Sequence, residues 1–258
     1  MSEIDQKLAR QVAEVKQMHR DGTANEKLHR TSAGGYLRDA VYGANDGIIT
    51  TFAVVAGVAG ADLSAAVVLI LGFANLLADG FSMAMSNYLG EKSNRDYVAA
   101  ERAREAWEVD HLPDEERQEV RDIYTRKGFQ GEALEQAVRV VTANKELWVD
   151  EMMVGELGMM PDSSDKHPWK NAGVTFVGFV IAGVVPLLPY LAGASSAVTF
   201  PFAVAATAAV LFLVGSMRTL LTHRSWLKSG IEMLVVGMVA AGVAYVVGDL
   251  LSRIVGAI

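Results

Sequence analysis

Val41–Ala61 reads "VYGANDGIITTFAVVAGVAGA". The run has the length of a membrane crossing, about 20 residues for a ~30 Å hydrocarbon core. Yet Asp46 stands in its first third. A carboxylate in hydrocarbon is costly, so its presence there calls for a partner. Four more apolar runs follow, near residues 64–88, 171–192, 198–221 and 229–251. Blocks of this kind, in a chain of 258 residues that is 51% hydrophobic, predict an all-α integral membrane protein with five transmembrane helices. The links "DLS" and "GASSA" are short enough to force antiparallel hairpins. In "GVVPLLPY", Pro186 and Pro189 predict a kink or an end in the third run.

The charges sort the links into two classes. Lysine and arginine crowd residues 1–40, the segment 89–170, and the fourth link with Arg218, Arg224 and Lys228. The two short hairpin links carry none, and the tail after the fifth run has only Arg253. The positive-inside rule then predicts a cytoplasmic N-terminus and a C-terminus that is outside or lumenal. Residues 1–30 lack the apolar core of a signal peptide and read as a polar, partly amphipathic helix, with Ile4, Leu8, Val12 and Val15 at helical spacing. Between the second and third runs, "GEKSNRDYVAAERAREAWEVDHL" continues the second span as a charged helix. "PDEERQEVRDIYTRKG" should open a helix at Pro113 and close it at Gly128. "GEALEQAVRVVTANKELWVDEMMVGELGM" adds one or two more. The chain has no cysteine, which excludes disulfides, thiolate zinc sites and iron–sulfur clusters. It carries a net charge of −7, and no nucleic-acid partner is expected.

Two groups of side chains carry chemistry. In the second run, Asn75, Asp79 and Met83 recur every four residues and share one helix face. At ~1.5 Å per residue, Asp46 lies ~8 Å inside the cytoplasmic end, and Asp79 and Met83 lie ~8–14 Å from that end on the second helix. No lysine or arginine stands in the core of either run. Polar packing against another helix is one reading. An ion path for a cation or proton is the other, and intramembrane carboxylates favour it. In the segment between the runs, Glu105 with Glu108 and Glu116 with Glu119 form i,i+3 pairs, and Met152, Met153 and Glu156 follow. Carboxylates with thioether sulfur suit a late first-row divalent metal. The alternative is a methionine-lined helix core with an acidic exterior. The five histidines are scattered, and there is no His-Glu-x-x-His or phosphate-binding loop. Gly43 and Gly47 flank Asp46 at a spacing that lets helices approach closely, and a homodimer seam is expected there.

"RDAVYGANDGIITTFAVVAGVAGA", "FSMAMSNYLGEKS" and "WVDEMMVGELGM", in this order around five spans, resemble the vacuolar iron transporter family, in a prokaryotic-like form. The resemblance implies a homodimer that exchanges Fe(II) for protons. It places a transport path on Asp46, Asn75, Asp79 and Met83. It places a metal site on Glu105, Glu108, Glu116, Glu119, Met152, Met153 and Glu156. Mn(II), Co(II) and Zn(II) are further candidate ions. One position departs: a plant pattern of the family has glutamate at Asn75 and a small residue at Asp79. The expected organisation is an N-terminal cytoplasmic helix (1–35), a membrane hairpin (36–90), a cytoplasmic metal-binding domain (91–168) and three further spans (169–258), embedded in the cell (inner) membrane or a vacuolar-type membrane. A membrane-anchored ferroxidase and a metal sensor or storage protein are the rival readings. Helical carboxylate oxidases use Glu-x-x-His, and Glu105-x-x-Glu108 lacks the histidine.

Overall fold

The computed structural model describes residues 3–21, 31–160, 167–193, 196–222 and 224–256, and among them the only regular structure is helix. Five helices are long and apolar enough to cross a membrane. They are α2 (Thr31–Gly60), α3 (Ala65–His111), α7 (Pro168–Gly183) with its continuation, α9 (Ser196–Met217) and α11 (Trp226–Val255). α1 (Glu3–Arg20) precedes them, with Val12 exposed. Ile4 and Leu8, expected on its apolar face, have side chains outside the described set. The described residues form two compact units, divided between Asn87 and Tyr88 and again between Pro168 and Trp169.

In the first unit, α2 turns into α3 through Asp62, whose φ of 56° is left-handed, with Leu63 N–H donating to the Val58 carbonyl at 3.1 Å. α7 stops at Gly183. The prolines then impose a 3-10 turn (Val185–Leu187) and the short α8 (Leu188–Leu191). α9 ends at Met217, earlier than its apolar run, and a turn at Arg218 precedes the single-turn α10 (Thr219–Thr222). Phe52, Val55, Leu76, Phe179, Leu187 and Ala203 are buried together in one cluster.

Glycines set how close α2 comes to its neighbours. Gly43 and Gly47 lie against the backbone of Thr175 and Phe179 on α7. Gly57 and Gly60 lie against Gly248 and Tyr245 on α11. This corrects the expectation of a homodimer seam at Gly43 and Gly47. The close approach is real, but α7 of the same chain already occupies it. A methyl group at Gly47 would overlap the Phe179 carbonyl oxygen, which is backbone and cannot swing aside. Gly47→Ala should therefore cost about 1–3 kcal/mol, the scale of overpacking. Thermal unfolding in detergent should show it. An unchanged midpoint would contradict this packing.

The second unit is built of helices joined by short links. It holds the charged end of α3, then α4 (Pro113–Arg126), α5 (Gly131–Thr142) and α6 (Lys145–Gly155). Pro113 starts α4, where a missing N–H costs nothing, and Gly128 leaves it at φ 95°. The Asn144 side chain caps α6 by accepting the Leu147 N–H at 3.2 Å. Val109, Val120, Ile123, Val138 and Trp148 anchor its core.

Candidate functional sites

Within the membrane unit, α2 and α3 carry the candidate path. Asp46 and Asp79 are half-buried, and their carboxylates stand close enough to repel each other. Thr50 Oγ1 donates back to the Asp46 carbonyl at 2.8 Å, which leaves the Asp46 carboxylate unengaged by that hydroxyl. Asn75 Nδ2 donates to Asp79 Oδ2 at 3.5 Å, one turn along α3. Met83, a further turn on, is partly buried against the cluster that holds Phe52 and Phe179. The structure thus brings Asp46, Asp79 and Asn75 together, and sets Met83 against the apolar core beside them. Two acids within electrostatic reach of each other, with an amide at hand, can hold a cation.

The same unit holds polar groups outside the sequence expectations. Asn87 Nδ2 donates to Thr175 Oγ1 at 2.8 Å, and Thr175 Oγ1 donates to the Asn171 carbonyl at 3.0 Å. These residues lie 88 positions apart in sequence, so no local spacing announces the pair. Asp39 is a buried carboxylate, 4% exposed, in ion pairing with its neighbour Arg38. Its signal was legible: it lies seven residues before Asp46, on the same helix face.

In the second unit, α3 contributes Glu105 and Glu108, α4 contributes Glu116 and Glu119, and Glu156 follows the end of α6. These five acids feel one another's charge. Glu116 is pushed up to about 7, first by burial and then by Glu119, Glu105, Glu108 and Glu156. Glu156 is pushed up to about 7 by desolvation, then by a hydrogen bond shared with Glu119 and by the same negative charges. Glu105 is raised by burial first and by Glu108, Glu119 and Glu101 next. Among the described residues, Glu105 and Glu116 each keep a buried Oε2 without a hydrogen-bond partner. One basic group enters the set: Arg104 Nε donates to Glu108 Oε1 at 3.1 Å. Other cations of the unit are engaged elsewhere: Arg102 with Glu146 and Asp150, Arg121 with Glu135, Lys127 with Glu151, and Lys145 with Asp110.

Met152 and Met153 are fully buried in the apolar cluster with Val120, Ile123 and Trp148. Among the described residues, no three Asp, Glu or His side chains converge closely enough to hold a metal ion. The glutamates are gathered within electrostatic reach, and they would have to turn inward to coordinate.

Five membrane-length helices, with facing carboxylates inside two of them, define a multi-pass membrane protein. The VIT family profile matches residues 37–249, and the chain belongs to that family. It is 36% identical to the vacuolar iron transporter of Toxoplasma gondii over 249 residues, 93% of this chain and 82% of the relative. The vacuolar iron transporter of Plasmodium falciparum is 34% identical over 84% of this chain and 82% of its own. Vacuolar iron transporter 1 of Arabidopsis thaliana is 32% identical over 83% of this chain and 85% of its own.

Proposed function

We propose that this protein moves Fe(II), and Mn(II) as a second substrate, out of the cytoplasm in exchange for protons. The relatives are named as iron transporters, and the family match reaches into every membrane helix. The observation that carries the reading is the pair of half-buried acids Asp46 and Asp79, within electrostatic reach of each other on two membrane-length helices. The pair binds a divalent cation when ionised and releases it on protonation, because a neutral acid is a poor ligand. An acidic far side therefore favours release there. Asn75 and Met83 supply neutral oxygen and sulfur along the same face of α3. The charge bias of the links supports a cytoplasmic N-terminus and an outside or lumenal C-terminus. It also supports a cytoplasmic second unit, whose glutamates gather the ion before transport. The working form in this reading is a homodimer.

The test is metal uptake by proteoliposomes under anaerobic conditions, with and without an acidic interior. Fe(II) should accumulate only with the pH gradient, ahead of Co(II) and Zn(II). Uptake that ignores the gradient would leave a channel rather than an exchanger. An oxygen requirement would revive the ferroxidase.

A further inference from the structure

Asp39 is 4% exposed. Its Oδ1 accepts from Arg38 Nε at 3.2 Å and from Arg38 Nη2 at 3.1 Å. Its Oδ2 is buried and has no hydrogen-bond partner among the described residues. A buried carboxylate oxygen left unpartnered is costly, and a donor or a cation is what would satisfy it. Arg38 differs from its neighbour: 67% of its side chain is exposed, and it lines a cavity of about 400 Å³ together with Asn45, Arg218 and Glu232. The guanidinium thus has an acid to hold and open space to move into.

Asp46 lies two turns further along α2, a rise of ~10 Å at nearly the same angular position. Between them on that strip stands Gly43, packed on the Thr175 backbone of α7. Thr175 in turn is held by Asn87.

We propose that Asp39 is a second cation site, holding the divalent ion before it reaches Asp46, with Arg38 as its exchangeable counter-ion. Arg38 neutralises Asp39 when the ion is absent and moves into the adjoining cavity when the ion arrives. Passage through two acids in series keeps each site weak enough to leave, as multi-site conduction requires. The inference rests on the transport reading above.

The discriminating experiment measures KM for Fe(II) uptake by the full-length protein in proteoliposomes, with thermal unfolding of each variant in parallel. Asp39→Asn should raise KM roughly 10-fold, the scale of a lost metal-supporting group, and Asp39→Glu should recover part of it. Arg38→Gln should lower KM by about 2–5-fold, since removing a partly exposed ion-pair partner frees the acid. A purely structural ion pair predicts the opposite pattern: both variants break the same contact, so both should lose stability and transport in step. That result would overturn the proposal, as would a KM for Asp39→Asn within about twofold of wild type, too small for a lost metal-supporting group. If Asp39→Asn does not fold, Arg38→Gln alone decides, and an unchanged or raised KM sinks the idea. Wild-type protein that fails to transport, or Asp46→Ala that transports fully, would overturn the transport reading instead.

Discussion

Asp46→Asn is expected to reduce Fe(II) transport to the level of empty vesicles while the protein stays folded. The amide copies the shape of the carboxylate and removes its charge, so packing against α7 is preserved. Without that charge the site loses its strongest ligand and its proton acceptor at once. Stability should hold or rise, because the substitution removes a half-buried charge. Loss of transport in a variant at least as stable as wild type would separate mechanism from misfolding. Asp79→Asn should cost less. Asp46 remains, and Asn75 keeps an oxygen donor one turn away on α3. Equal losses at both positions would make the two acids a single unit. Full transport by Asp46→Asn would remove the basis of the exchange reading.

The second large effect concerns Glu116. Its carboxyl is buried at 3% exposure and pushed up to about 7, against an ordinary 4.5. The folded unit therefore holds this proton more tightly than the unfolded chain does. Its stabilising contribution is complete below about pH 4.5 and is lost as pH rises through about 7. At about pH 8 the metal-free protein thus carries a buried, mutually repelling charge, and Glu116→Gln should stabilise it by about 1–3 kcal/mol. The gain should vanish near pH 5, where wild type is protonated as well. Metal binding should move the other way. Mn(II), used as an air-stable probe, should raise the unfolding midpoint of wild type and do so much less for Glu116→Gln, because ligand-linked stabilisation needs the charged acid. Thermal unfolding followed through tryptophan fluorescence reads both effects. A variant that is less stable at high pH, or that keeps the full Mn(II) shift, would contradict the assignment of Glu116 to a cation site.

Hydropathy made the five spans legible because apolar residues come in blocks, and a bilayer demands blocks. The continuity of α3 was legible for a local reason: no proline interrupts Ala65–His111, and the helix pattern simply turns charged after Tyr88. What stayed hidden depends on partners distant in sequence. The spacing of Gly43 and Gly47 says that a helix comes close, but not which one, and α7 of the same chain fills the place assigned to a second copy. Met152 and Met153 show the same ambiguity in another form. A thioether near a glutamate reads equally well as ligand or as core filler, and only burial tells that both face the cluster with Val120 and Trp148. Arg104 was visible four residues before Glu108, an i,i+4 pair that local spacing alone supports. The pairing of Asn87 with Thr175 had no such signal, since it exists only once α3 and α7 pack.

Proton counterflow tests the central claim most directly. Proteoliposomes holding an interior pH indicator and a slightly acidic lumen are given Fe(II) outside, with the membrane potential clamped. The account predicts that Fe(II) entry drives protons out, so the lumen becomes alkaline in proportion to the metal taken up, and that Asp46→Asn shows neither flux. Fe(II) entry with no change in luminal pH would contradict it.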